Sequence, residues 1–177
     1  MPESSHFAER LARWRVPLGF ACGGAVLYLA RPTPPALALG GVVALAGQMI
    51  RIWAAGHLDK GREVTQSGPY RFTRHPLYLG SGIVAAGVAV ASGTVSVAII
   101  VGVYMGSTIA AAVRHEEENM RSRFGDGYDA YLQSRAAPVQ RAFSLHRAMT
   151  VNKEYKAVAG LLAFALIMAA KVFLEAD

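Results

Sequence analysis

The sequence predicts an all-α fold, a multi-pass transmembrane helical bundle of about five spans, and three observations carry that reading. Hydrophobic residues make up 53% of the 177-residue chain, and the mean hydropathy is +0.30, more than one soluble core needs. The charges are gathered between long uncharged runs rather than spread along the chain, as a bilayer requires. Lys and Arg also alternate between rich and poor connections, which is the pattern that fixes orientation in a membrane.

The uncharged runs give the elements in order. Val16 to Ala30, bounded by Arg15 and Arg31, is short for a span but can be extended by arginines that reach the interface. Pro32 to Ile50 makes a second span that continues past Arg51 and Trp53 to about Gly56. Residues 76 to 113 carry no charge, and as one helix they would be roughly 57 Å long, about twice the hydrocarbon core. They must fold back, and Ser92-Gly93-Thr94 supplies the turn signal near their middle. Tyr155 to Leu174, with Lys171 near its end, is the fifth run.

The basic residues outside these runs are Arg10, Arg13 and Arg15 before the first span, Arg31 after it, and Lys60, Arg62, Arg71 and Arg74 after the second. The hairpin turn has none, seven lie from Arg114 to Lys153, and Lys171 stands alone at the end. This alternation predicts a cytoplasmic amino terminus, an external carboxyl terminus and an integral protein of a bacterial inner membrane or its equivalent. Residues 57–75 and 114–153 then share the cytoplasmic side. The net charge of +6 follows from the same rule and does not indicate nucleic acid, since no basic stripe with interleaved aromatics occurs. Cys22, the single cysteine, lies in an apolar run without an activating base and reads as a small buried hydrophobe. The first run lacks a small-residue cleavage pattern and does not read as a signal peptide. No repeat of 20–50 residues is visible, and residues 1–177 read as one domain.

The polar segments hold the candidate chemistry. Pro76 fits the first turn of the third helix, where its missing N–H costs nothing, so Arg74 and His75 stand at a helix mouth with Tyr78 one turn in. The same residues could serve as interface anchors, and Gly80-Ser81-Gly82 could admit a ligand or let helices pack closely. Further on, Arg114-His115-Glu116-Glu117-Glu118 opens the second segment. Val113, Glu117, Met120 and Phe124 recur at helical spacing as one stripe, which Tyr128 and Tyr131 would extend if the helix resumes after Gly125. Glu117 is then the inward carboxylate, while Arg114–Glu118 and Glu117–Arg121 have the spacing of surface pairs. An inward carboxylate at a membrane surface needs a partner.

Together these residues resemble the isoprenylcysteine carboxyl methyltransferase and phospholipid methyltransferase families of membrane enzymes. The resemblance rests on Ser67-Gly68-Pro69-Tyr70, Arg74-His75-Pro76, Tyr78 and Gly80, followed by Glu116-Glu117 and Phe124-Gly125 with Tyr128 and Tyr131. Gly47 to Leu58, with Arg51 and Trp53, is similar to the preceding family helix, so the family-like core covers about residues 40–135. The resemblance implies a cytoplasmic cofactor-binding segment for S-adenosylmethionine, leaving S-adenosylhomocysteine as product. It implies cofactor contacts from Gln66, Gly68, Tyr70, His75, Tyr78, Leu79 and Glu117, with Arg74 and Glu116 as catalytic residues where substrate and cofactor meet. No metal is assigned. A carboxylate could accept from ribose hydroxyls, and an Arg or His could hold the cofactor's carboxylate. The acceptor would be lipid-like or small and amphipathic, entering between spans from the bilayer. Many relatives stop soon after the Tyr-x-x-Tyr segment, so the extra span at 155–174 would cover the substrate entrance or form a homodimer contact. Two other readings compete: a membrane reductase of the sterol-reductase type using NADPH, and a non-enzymatic membrane module on the same scaffold. The double-Glu segment speaks against the first, and the intact set of Arg74, His75, Tyr78 and Glu117 against the second.

Overall fold

The computed structural model describes residues 17–60, 64–126, 133 and 141–174. Arg10, Arg13, Arg15, Arg62, Tyr128 and Tyr131 lie outside the described residues. The chain forms helices α1 (Pro17–Leu29), α2 (Pro34–His57), α3 (Pro76–Ala91), α4 (Val95–Phe124) and α5 (Tyr155–Leu174). A 3₁₀ turn, Gly68–Arg71, precedes α3, and a π-helical turn, Arg147–Val151, precedes α5. The protein is all-α, with no strand among the described residues. α2, α4 and α5 are long and apolar enough to cross a membrane, and α1 and α3 are shorter apolar helices.

Local sequence explains the boundaries. Thr33 caps α2 by accepting from the Ala36 N–H at 3.4 Å, with Pro34 in the first turn. Pro76 begins α3 with His75 in the capping position. The 38-residue run (residues 76 to 113) does fold back at Ser92-Gly93-Thr94. Gly93 has φ +68°, and a Cβ there would lie 2.3 Å from the Arg31 carbonyl oxygen, so this turn needs glycine twice over. The Arg31 N–H donates to the Ser92 carbonyl at 2.8 Å, which ties the α1–α2 connection to the hairpin. α4 does not stop where its charges begin. Its 30 residues extend to about 45 Å, so its last turns stand clear of a bilayer core of about 30 Å and carry the three glutamates outward.

α2 and α3 form the most intimate pair. Gly40, Ala44 and Gly47 of α2 face Gly80, Gly87 and Ala91 of α3 so closely that a Cβ on Gly87 would lie 2.4 Å from the Ala44 nitrogen. Small residues are what bring helices together in lipid, where apolar side chains gain nothing by leaving the solvent. The outer surface is correspondingly apolar: Leu162, Leu166, Phe173 and Val103 are all largely exposed. A smaller interior cluster of Val26, Val97 and Val101 joins α1 to α4, with Cys22 packed against it.

Polar contacts fix the two ends of the bundle. At one end Lys171 of α5 donates to the Leu27 and Ala30 carbonyls at 3.0 and 2.6 Å, satisfying the last turn of α1. At the other, the segment before α5 closes the end of α2. Asn152 donates to the Ala55 and Leu58 carbonyls at 2.8 and 3.1 Å, and Arg147 to the Gly56 carbonyl at 2.6 Å. Asn152→Ala leaves two such carbonyls without that donor. It is expected to cost about 1–2 kcal/mol, seen as a lower unfolding temperature in detergent; an unchanged transition would show that solvent replaces the amide. Both polar connections therefore emerge at one end of the bundle, opposite the hairpin turn and Lys171.

Candidate active site

At that end a cavity of about 520 Å³ opens between the linker, the mouth of α3 and the protruding part of α4. Its walls include Arg51, Lys60, Tyr70, Arg74, His75 and Tyr78, with His115, Glu116, Asn119 and Arg123 from α4. Among the described lining residues four cations face one carboxylate, so the cavity favours a ligand carrying an anionic group. Its volume lies within the roughly 300–1,000 Å³ of small-molecule sites.

The helix mouth positions the central pair. His75 Nε2 lies 3.2 Å from Glu117 Oε1, with side chains 21% and 37% exposed. The His75 ring centre is 5.9 Å from that of Tyr78 one turn on. Along α4, Val113, Glu117, Met120 and Phe124 are half-buried, whereas Glu116 and Glu118 are exposed. Glu117 thus reaches across to α3. Glu116, one residue earlier, is the carboxylate on the cavity wall, and Glu117 braces His75 from beside the cavity.

Arg74, His75, Tyr70 and Tyr78 from the linker and α3, and Glu116 from α4, all line this cavity. Gln66, Gly68 and Leu79 are not among the lining residues. Gly68 instead shapes the linker: its φ is +58°, and a Cβ would fall 2.4 Å from the His57 ring. His57 is itself buried, with Nδ1 3.1 Å from Ser67 Oγ. Leu79 is 51% exposed on the outer side of α3, and Gln66 is half-buried in the linker. The Gly80-Ser81-Gly82 ambiguity resolves by residue. Gly80 packs on α2, where a Cβ would meet Arg51 Cγ at 2.7 Å, while a Cβ on Gly82 would meet nothing within 4 Å.

A second, apolar groove of about 690 Å³ runs through the bundle between α1, α3, α4 and α5, with Cys22, Val84, Met105 and Phe164 on its walls. Its polar patch is Gln48, Arg51 and Ser81. Arg51 also lines the polar cavity, so the two spaces meet at this side chain.

Arg51 is held by a group the sequence reading passed over. Glu154, just before α5 and 5% exposed, accepts from Arg51 Nη2 at 2.8 Å and Nε at 3.1 Å, and from Gln48 Nε2 at 3.3 Å. Ser81 Oγ accepts from Arg51 Nη1. A signal was available: an arginine within an apolar run needs a counter-charge, and Glu154 is the carboxylate beside the mouth of the fifth run.

The fold and these two spaces define a class: an integral membrane helical protein in which a polar ligand cavity at the helix ends meets an apolar groove within the bilayer. Residues 47–127 match the phospholipid methyltransferase family model, and over that segment the resemblance seen in the sequence holds. The matched segment spans the second half of α2, the linker, α3 and α4, which supply the cavity walls. The match implies methyltransferase activity at the membrane. No curated protein and no solved structure matches the chain significantly.

Proposed function

We propose that the protein transfers a methyl group from S-adenosylmethionine to a lipid-like or small amphipathic acceptor at the cytoplasmic face of the membrane. The observation that carries this reading is the meeting of a polar, cation-rich cavity with an apolar groove at Arg51. A water-soluble donor and a membrane-borne acceptor need that junction.

The donor set suits the cofactor. Arg74, Lys60 or Arg123 can hold its carboxylate, the rings of Tyr70 and Tyr78 can face a sulfonium charge, and Glu116 can accept a hydrogen bond from the acceptor where the two partners meet. The cofactor itself supplies an activated methyl group for in-line displacement. The protein's part is to orient the two partners and exclude water. Glu117 holds His75 in place, and Arg74 stands where both partners would meet. Gln66, Gly68 and Leu79 act by shaping the linker and helix mouth rather than by contact.

We also read the whole chain as one unit. α5 forms a wall of the groove through Gly160 and Phe164, and Lys171 ties it to α1, which supports a role as cover for the acceptor. Its outer face, with Leu162 and Leu166, is left to lipid or to a second copy in a homodimer. The alternation of Lys and Arg supports a cytoplasmic amino terminus.

Calorimetry on the purified protein tests the activity class. S-adenosylhomocysteine should bind and NADPH should not, and Arg74→Ala should weaken the former about tenfold by removing one charged contact. Binding of NADPH alone would favour the reductase reading, and binding of neither the non-enzymatic one.

A further inference from the structure

The Arg51 guanidinium stands at the threshold between cavity and groove, and the way it is held leaves part of it available. Of the five N–H donors of a guanidinium, Glu154 takes two and Ser81 one. The two remaining belong to a side chain that lines both spaces. Glu154 is one of the most buried charged groups among the described residues, at 5% exposure, and its partner is 22% exposed at the side chain. A buried ion pair is a poor device for stability, because apolar replacements of similar volume often serve the fold as well. Its geometry therefore calls for another reason.

We propose that Arg51 donates to an oxygen of the acceptor's head group while the acceptor's chain lies in the apolar groove, and that Glu154 is the positioning residue that holds Arg51 there. The proposal rests on the methyltransferase reading for the word acceptor, but the contact it describes is one of lipid head-group recognition. Glu154 lies beyond the segment matched by the family model, so the fifth helix carries a component of the site with it. The two-point attachment through Nε and Nη2 fixes the plane of the guanidinium, and Gln48 donates to Oε2, the carboxylate oxygen that also accepts from Nε. Ser81 is itself anchored, donating to the Leu77 carbonyl at 2.8 Å. An arginine so fixed presents its remaining donors, one on Nη1 and one on Nη2, in fixed directions, which a free side chain at an interface does not do.

The test compares retention of phosphatidylethanolamine with that of a diacylglycerol of the same chains, by native mass spectrometry of the full-length protein in detergent micelles. S-adenosylhomocysteine affinity is measured on the same samples. The wild type should retain the phospholipid in preference to the diacylglycerol. In Arg51→Met/Glu154→Leu, which replaces the pair by apolar groups and so tends to preserve the fold, that preference should fall about tenfold, the equivalent of one charge-assisted hydrogen bond. Glu154→Asp keeps the charge but shortens the reach, and should lose part of the preference even if the double variant fails to fold. An unchanged preference in Glu154→Asp or in a folded double variant would overturn the proposal, as would a wild type with no preference. Loss of the preference in Glu154→Asp with S-adenosylhomocysteine still bound supports it. A wild type that shows the preference but binds no S-adenosylhomocysteine leaves the head-group contact standing and removes the methyltransferase reading.

Discussion

Glu117→Gln is expected to weaken S-adenosylhomocysteine binding about ten- to a hundredfold, while Glu118→Gln leaves it within assay scatter. Both substitutions remove one charge from adjacent positions on the same turn of α4, so any difference must come from what each side chain touches. Glu117 is half-buried and lies 3.2 Å from His75 Nε2, and His75 is part of the cavity wall. A neutral amide loses the charged contact and lets the imidazole turn away. Glu118 is exposed. Because Glu117 acts through His75, the double variant Glu117→Gln/His75→Ala should be little worse than the poorer single one, with a coupling of about 0.5–3 kcal/mol. Glu116→Gln should lower turnover more than binding, since its carboxylate faces the cavity directly. Calorimetry and initial rates in one detergent decide the matter. A sensitive Glu118 beside a silent Glu117 would mean that the cofactor lies on another face of α4.

The largest expected effect on stability is at Gly87. Gly87→Leu should destabilise the protein by about 3 kcal/mol or more, at or above the usual cost of overpacking. The neighbours of a Cβ at this position are backbone atoms, the Ala44 nitrogen at 2.4 Å and the Gly40 oxygen at 2.6 Å, and backbone cannot rotate aside as a side chain can. α2 and α3 would have to part. Since Arg51 lies on α2 and Ser81 on α3, parting them also strains the junction of cavity and groove. Gly82→Leu serves as the control, since a Cβ there meets nothing within 4 Å, and should leave thermal unfolding in detergent nearly unchanged. Equal transitions for the two variants would refute the close packing of these helices.

By itself the sequence determined the class of fold, because a bilayer penalises every charge and unpaired backbone group in the same way wherever it falls. Five apolar runs, the turn at Ser92-Gly93-Thr94 and Pro76 as a helix start were all legible, since each depends only on residues near it in the chain. The half-buried stripe of Val113, Glu117, Met120 and Phe124 could be read for the same reason: helical periodicity is local. The match to the phospholipid methyltransferase family over residues 47–127 agrees with the motif that carried the resemblance.

What lies across the bundle was not legible. Periodicity picked out Glu117 as inward, but only the position of α3 decided that it would meet His75 and that Glu116 would be the carboxylate on the cavity wall. Gly68 and Gly80 sat within the motif, yet their neighbours, His57 and Arg51, come from α2. The partnership of Arg51 with Glu154 spans 103 residues of chain. An isolated arginine in an apolar run announces that a counter-charge is needed, but not which one, because the answer depends on how helices of unequal length are arranged. Packing of small residues between α2 and α3 set that arrangement, and with it brought a polar cavity and an apolar groove to the same side chain.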